Sequence, residues 1–223
     1  MAKHNGTAVN FLAWRKSTGV ELIEKVEELK HRISDVVDRR IAEFMELHRK
    51  GNREWFLELC FCILTANSSA ELGIKIQNEI GEGFLTLSEE ELAAKLKLLG
   101  HRFYNVRAKY IVSARKFERI KEIVTIMDPF EAREWLVDTI KGIGYKEASH
   151  FLRNVGYLDF AILDRHILRI MSEYGLIEIP KSLSRKRYIE IEEVFKELAR
   201  KVSLRPGELD LYLWYMKTGK VLK

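Results

Sequence analysis

No stretch of this sequence alternates apolar and polar residues with period two for long enough to form a sheet. Apolar residues recur instead at helical spacing along most of the chain, and residues 55–66 are apolar nearly all round, as expected of a central buried helix. The prolines lie at predicted element boundaries, where they do not interrupt a helix, at positions 129, 180 and 206. The pattern therefore predicts an all-α fold.

Local signals indicate where the helices begin and end. Residues 18–21 and 88–91 have the spacing of capping boxes, in which two side chains satisfy backbone donors of the first turn. Asp128 followed by Pro129 is typical of a helix start, and glycines stand where several helices should stop. We predict helices at 20–49, 55–66, 70–80, 88–99, 105–123, 129–140, 145–154, 165–174, 182–200 and 208–217.

Composition excludes several classes of protein. Of the 223 residues 47% are apolar, which is enough to bury a core and rules out a disordered chain. The net charge of +5 agrees with a polyanionic partner, and eight Lys or Arg fall within residues 181–205. No uninterrupted run of about 18 apolar residues occurs, and the first residues make a poor signal peptide. We therefore expect an intracellular protein that does not contact the membrane.

The two cysteines, Cys60 and Cys62, stand one residue apart in an apolar run. Two cysteines cannot form a disulfide framework or a four-cysteine zinc or iron–sulfur site. We expect both to be buried apolar residues.

A Gly-apolar-Gly turn carries the most informative pattern. Gly142, Ile143 and Gly144 join two predicted helices. Glycine at 142 and 144 allows positive φ and close approach of another backbone, while Ile143 can fill the space between the helices. The turn and the first N–H groups of the next helix suit a DNA phosphate. The alternative is an ordinary turn between two helices with a glycine cap.

Lys146 stands just inside the helix that follows this turn. It could be a surface charge or a contact to the bound phosphate. It could also be a nucleophile, because an amine near a positive helix end, other cations and partial desolvation can lose its proton and attack carbon.

Asp164 precedes a predicted helix, 18 residues after Lys146. Helix capping is its simplest role. A capping aspartate still presents one carboxylate oxygen, which could accept a proton from an active lysine or offset a developing cation on a sugar.

Longer segments of the sequence resemble the helix–hairpin–helix DNA glycosylase superfamily. The similarity includes residues 57–69 and 100–111, which resemble helices of endonuclease III relatives. Gly-Ile-Gly-Tyr-Lys-Glu-Ala-Ser-His at 142–150, Ala-Ile-Leu-Asp-Arg-His at 161–166 and the end of the chain resemble one branch closely. That branch is the second-type, archaeal-type 8-oxoguanine DNA glycosylase/lyases, and the resemblance covers about residues 18–223.

The resemblance implies a bifunctional base-excision repair enzyme. Such an enzyme flips the damaged nucleotide out of the duplex. The amine of Lys146 would attack C1′ and displace 8-oxoguanine, and the Schiff base would nick the strand by β-elimination. Asp164 would accept the lysine proton or stabilise oxocarbenium character.

The family also implies roles for the end of the chain. Trp214 would stack on the flipped base. The terminal carboxylate of Lys223 would accept hydrogen bonds from the guanine N1–H and N2–H₂ edge, which adenine cannot offer. The alternatives are core packing for Trp214 and a frayed end for Lys223.

Further DNA contacts follow from the same resemblance. Asn67 would fill the gap in the DNA stack, or else it is a helix C-cap. Arg165, Arg153 and the basic cluster at 181–187 would contact phosphates, with a solvated basic face as the alternative. The hairpin residues Gly142, Ile143 and Gly144 would hold the backbone.

We expect two helical subdomains with the active site in the cleft between them, flanked by Lys146 and Asp164. Residues 53–158 would form a six-helix subdomain with the hairpin, and residues 1–52 and 159–223 would form the second. No four-cysteine iron–sulfur cluster is possible, and we expect no metal or cofactor. The partner would be double-stranded DNA containing 8-oxoguanine, bound by a monomer.

Two other functions stay open at this point. The same mechanism could act on another oxidised base. A non-catalytic helix–hairpin–helix module would bind DNA with a steep salt dependence and form no covalent adduct.

Overall fold

The structure is a computed structural model of the chain, which describes the backbone of residues 6–223 and the side chains of residues 19–223. Over residues 6–223 it contains α-helices, one short 3₁₀ turn at Arg115–Phe117 and no β-strand. The prediction of an all-α fold is confirmed.

The helices are, in chain order, α1 (Gly6–Arg49), α2 (Asn52–Thr65), α3 (Ala70–Ile80), α4 (Gly83–Thr86), α5 (Glu89–Leu98), α6 (Tyr104–Ala114), α7 (Ile120–Thr125), α8 (Pro129–Thr139), α9 (Tyr145–Asn154), α10 (Arg165–Glu173), α11 (Arg185–Lys201) and α12 (Pro206–Thr218).

The short helix α4 was not predicted, α2 begins three residues earlier than predicted, and two further predicted helices differ more strongly from the structure. The first helix does not begin at the capping-box pattern of residues 18–21, because α1 runs through it from Gly6. A capping-box pattern does not force a helix to begin at that point when the residues before it can also be helical. The predicted helix at 105–123 is divided into α6, the 3₁₀ turn and α7. The division lets Phe117 pack edge-on against Trp135, with ring centroids 5.3 Å apart, while Ile120 is fully buried.

The chain divides into two compact units. The hairpin unit is Arg40–Phe160 with Leu222–Lys223, and the terminal unit is the chain up to Arg39 with Ala161–Val221. The end of α1 and the last two residues thus belong with the hairpin. The span predicted as six helices contains eight, because α4 was not predicted and the helix predicted at 105–123 is divided into α6 and α7. Hydrogen bonds explain the first assignment: the Trp55 indole donates to Leu47 O (3.0 Å), and His48 Nδ1 lies 2.8 Å from Val155 O.

The core of the hairpin unit is built around α2. Trp55, Phe56 and Phe61 are fully buried, as are Cys60 and Cys62. Burial raises the pKa of both thiols well above the usual value, so they are inert apolar residues. The prediction of a helix buried nearly all round is confirmed.

In the terminal unit α10 and α11 pack against α12, and two lysines of α1 join it to this group: Lys25 Nζ donates to the Tyr174 hydroxyl (2.7 Å) and Lys30 Nζ to Val202 O (2.8 Å). The buried face of α1 repeats every three or four residues at Leu22, Val26, Leu29, Ile33 and Val37. This unit also carries Asp164, at the N-terminus of α10.

The turn between α8 and α9 has the predicted form with one correction. Gly142 has φ +87°, whereas Gly144 is extended at φ −101° and caps α9, so only Gly142 needs the positive-φ region. A Cβ atom on Gly142 would lie 2.4 Å from the ring of Tyr110. Ile143 is buried in the core cluster, as predicted.

Replacing Gly142 by alanine should therefore destabilise the hairpin twice over, through backbone strain and through the clash with Tyr110. We expect Gly142→Ala to lower the free energy of unfolding by about 2–4 kcal/mol. Gly100→Ala is the matched control, because Gly100 has φ +91° and a Cβ added there would meet no atom within 4 Å. That control should lose only about 1–2 kcal/mol. Equal losses in guanidinium denaturation would show that Tyr110 moves aside freely.

Candidate active site

The hairpin uses some of its own backbone donors. The N–H of Ile143 donates to Ile140 O (3.2 Å), and the N–H of Gly144 donates to the Glu147 carboxylate (3.2 Å). Gly144 supplies no side chain to cap α9. An anion at this turn would therefore meet the positive end of the helix, and the donors of residues 143 and 144 would first have to exchange partners.

Lys146 is the second residue of α9, and its side chain is 23% exposed. Its Nζ lies 3.1 Å from Oε1 of Glu147, whose other oxygen accepts the Gly144 N–H. Glu147 thus ties the amine to the hairpin. The result is a partly desolvated amine held at the exit of the turn.

His150 lies one helical turn after Lys146 and is buried, with its ring edge-on to Phe61 at 5.5 Å. The ring lies beside the backbone of Lys223, and no side chain among the described residues hydrogen-bonds either ring nitrogen. Burial lowers the pKa of His150 well below the usual value, and the positive charges of Arg153, Lys146 and Lys223 lower it further. The imidazole is therefore neutral at pH 7.

The last residue of the chain is held in the same unit. The Nζ of Lys223 lies 2.7 Å from Glu58 Oε2, donates also to Gln77 Oε1, and stands 4.4 Å from the ring centroid of Phe61. The side chain of Lys223 is thus anchored, which argues against a frayed end. The charges of Lys146 and Lys223 both act on His150 and on Cys62, so the structure brings the two lysines into one neighbourhood.

The sequence analysis missed four residues of this neighbourhood: Glu58, Gln77, His150 and Asn154. Glu58 is only 3% exposed and accepts hydrogen bonds from Asn154 Nδ2 (2.6 Å) and Gln77 Nε2 (3.3 Å) as well as from Lys223. One signal could have found it. A glutamate inside an otherwise apolar helix must have buried partners, because an unpaired buried charge is costly.

In the terminal unit the structure brings Asp164 and Trp214 together. Asp164 Oδ1 accepts the N–H groups of His166 (2.8 Å) and Ile167 (2.9 Å), and its second oxygen makes no hydrogen bond to any described residue. Trp214 packs edge-on against the His166 ring at 5.1 Å. Trp214 is only partly buried, and its indole N–H has no partner within residues 19–223.

The remaining predicted DNA contacts fall into different environments. Asn67 is exposed, with φ +58°, one residue beyond the C-cap of α2, which is Ala66. Arg165 is exposed beside the capped start of α10. The predicted phosphate contact of Arg153 was wrong, because this side chain is 2% exposed, donates to Asn154 Oδ1 (3.0 Å) and stacks on Phe44.

Within the part of the chain that the structure describes, no three His, Cys, Asp or Glu side chains are grouped to hold a metal ion. None of the described helices has the length and apolar character to cross a membrane.

A Gly-apolar-Gly turn between two helices of an all-α chain, with a partly buried lysine as the second residue of the following helix, is typical of a helix–hairpin–helix protein. The family model of 8-oxoguanine DNA glycosylase matches residues 37–204. Over 205 residues the chain is 62% identical to the 8-oxoguanine DNA glycosylase/AP lyase of Methanocaldococcus jannaschii, a match covering 91% of this chain and 99% of that relative.

Other relatives agree. The chain is 51% identical over 207 residues to the 8-oxoguanine DNA glycosylase/AP lyase of Korarchaeum cryptofilum, covering 91% of this chain and 98% of that one. The crystal structure of the M. jannaschii 8-oxoguanine glycosylase/lyase in complex with a 15mer DNA containing 8-oxoguanine is similar with a TM-score of 0.90 and 61% identity. That match covers 91% of this chain and all of that chain. The chain belongs to the 8-oxoguanine DNA glycosylase family.

The neutral state of buried His150 predicts a pH-dependent stability. Its pKa in the folded protein lies below the unfolded value, so its contribution is complete above about pH 6.5 and is lost as the pH falls. Between about pH 6.5 and about pH 5, wild type should lose up to about 1.4 kcal/mol per pH unit more than His150→Leu. Guanidinium denaturation across this range measures the difference. Burial also lowers the pKa of His101, but this residue is present in both proteins, so its contribution to the pH dependence cancels in the comparison. A difference that does not change with pH would contradict the assignment.

Proposed function

We propose that this protein excises 8-oxoguanine from double-stranded DNA and cleaves the strand at the resulting abasic site. The observation that carries the proposal is the place of Lys146, a partly buried amine in the first turn after the hairpin, in a member of this family. The M. jannaschii relative is an 8-oxoguanine DNA glycosylase/AP lyase, and its structure holds DNA with that lesion.

The reaction begins with extrusion of the lesion nucleotide, at an unstacking cost of roughly a few kcal/mol. The lone pair of the Lys146 amine attacks C1′, and the N-glycosidic bond breaks with its electrons leaving on the base. The sugar ring opens to a Schiff base between Lys146 and C1′. Removal of a C2′ proton then expels the 3′ phosphate by β-elimination, and hydrolysis of the Schiff base frees the enzyme.

Asp164 is proposed as the group that accepts the lysine proton or stabilises positive charge on the sugar. Its capping oxygen is fixed by two backbone N–H groups, while the second oxygen has no protein partner among the described residues. A carboxylate held in this way is oriented before substrate arrives. That Lys146 and Asp164 act on one sugar is part of the proposal.

Recognition of the base is assigned to Trp214 and Lys223. The partly exposed indole of Trp214 would stack on the flipped purine. The terminal carboxylate of Lys223 would accept hydrogen bonds from the N1–H and N2–H₂ edge of guanine. Asn67, Arg165 and the hairpin residues Gly142, Ile143 and Gly144 would contact the DNA around the lesion.

Borohydride trapping tests the central assignment. Wild type should form a covalent adduct with an 8-oxoguanine duplex and none with an undamaged duplex. Lys146→Gln should form none, because the nucleophilic amine is gone. Lys95→Gln, which removes an exposed lysine of α5, is the control and should be trapped like wild type.

Three other trapping results would contradict the assignment. Trapping of Lys146→Gln would mean that another amine is the nucleophile. An adduct with a different oxidised base but not with 8-oxoguanine would change the substrate. Tight binding without any adduct would favour a non-catalytic DNA-binding module.

The Asp164→Asn variant separates the proposed chemical role of the carboxylate from its role as the N-cap of α10. Asparagine caps a helix as well as aspartate does, so the free energy of unfolding should change by less than about 0.5 kcal/mol. The single-turnover rate of base excision should nevertheless fall by about 10²-fold or more, because the charge is lost. Asp164→Ala should lose a further ~1 kcal/mol of stability. An Asp164→Asn enzyme with the wild-type excision rate would remove Asp164 from the mechanism.

A further inference from the structure

Glu58 is the feature that the proposed reaction leaves unexplained. It lies in the middle of α2 between the partly buried Leu57 and the fully buried Leu59, and its own side chain is 3% exposed. Three donors satisfy its carboxylate: Lys223 Nζ and Gln77 Nε2 on Oε2, and Asn154 Nδ2 on Oε1. Stability does not require such a group, because apolar side chains of similar volume often replace a buried ion pair without loss.

Gln77 reinforces the hold on Lys223. Its Nε2 donates to Leu57 O (2.9 Å) and to Glu58, which leaves its Oε1 as an acceptor for the Lys223 ammonium. The ammonium also stands over the ring of Phe61. We call the group of Glu58, Gln77 and Phe61 that holds this ammonium the C-terminal anchor.

The anchor acts on the one residue that carries both a positive side chain and the terminal carboxylate. Chain ends are normally poorly ordered unless they are tied down. Once the ammonium is fixed, the carboxylate on the same Cα can move only within the reach of one lysine side chain. The backbone of Lys223 lies beside His150, one turn after Lys146, so the fixed carboxylate stands near the reactive amine's helix.

We propose that Glu58 is a positioning residue for substrate recognition: through the C-terminal anchor it holds Lys223 so that the terminal carboxylate faces the guanine edge of the lesion. This inference rests on the proposed function, because it needs a base to be read. It assigns no chemistry to Glu58 itself, which contacts only protein groups. It also separates two roles in Lys223, an ammonium that anchors and a carboxylate that recognises.

The variants separate these roles. Glu58→Gln keeps the shape of the side chain and removes its charge, and Lys223→Met removes the ammonium while keeping the terminal carboxylate. An added glycine after Lys223 keeps the ammonium and displaces the carboxylate. The matched control is Glu79→Gln, which removes an exposed carboxylate from α3, the helix that carries Gln77.

Two enzymatic readouts distinguish reading the base from cutting the strand. We expect Glu58→Gln, Lys223→Met and the glycine extension each to slow release of 8-oxoguanine by about tenfold or more, since small misplacements are costly. Cleavage of a duplex with a preformed abasic site, which has no base to read, should stay within about twofold of wild type. The Glu58→Gln, Lys223→Met double variant should be no slower than either single variant, because both remove one interaction.

A third readout does not depend on the proposed function. Carboxypeptidase B removes a terminal lysine only when it is accessible, and mass spectrometry follows the loss. Glu58→Gln should speed removal of Lys223 by about tenfold or more, in proportion to the open population. Glu79→Gln should leave the rate at the wild-type value.

Each outcome decides. Faster removal of Lys223 together with slower base release and unchanged abasic-site cleavage supports the proposal. Faster removal with unchanged base release overturns the positioning role, and an unchanged removal rate overturns the anchor. If Glu58→Gln and Lys223→Met slow abasic-site cleavage as much as they slow release of 8-oxoguanine, the C-terminal anchor supports the structure and does not position Lys223 for recognition. If wild type releases no 8-oxoguanine, the proposed function fails, while the carboxypeptidase result still tests the anchor.

Discussion

A carboxylate buried in the middle of an apolar helix needs hydrogen-bond donors around it, and three separate parts of the hairpin unit supply them. Glu58 takes one donor from α3, one from the end of α9 and one from the last residue of the chain. The Asn154 bond ties α9 to α2 at the end opposite the hairpin. The same helix carries Lys146 and His150, nearer its N-terminus.

The same cluster explains why His150 stays neutral. Burial disfavours its charged form, and Arg153, Lys146 and Lys223 already place positive charge around it. A neutral imidazole therefore costs less than a protonated one. The positive charge of this neighbourhood therefore lies on Lys146, Lys223 and Arg153, and His150 adds none.

Local patterns made much of this structure predictable. The all-α class, the hairpin at residues 142–144 and the cap of Asp164 each depend on residues close together in sequence. Glu58, Gln77, Asn154 and Lys223 are far apart in the chain, so periodicity could not join them. Arg153 failed as a phosphate contact because its position on α9 points into the core, and Gly144 needed no positive φ because a helix cap is extended. The choice of Lys146 and Asp164 required family resemblance, since lysines and capping aspartates are common.

Both proposed catalytic groups stand at the first turn of a helix, and this placement has a physical consequence. Asp164 is fixed by the N–H groups that begin α10, so the direction of its second oxygen is set by the backbone rather than by a flexible side chain. Lys146 is fixed by Glu147, which is itself bound to the N–H that begins α9. Groups oriented in this way lose little freedom when substrate binds. In the proposed mechanism the helix starts that organise the fold would also preorganise the chemistry, and the anchored C-terminus would extend the same principle to recognition of the base.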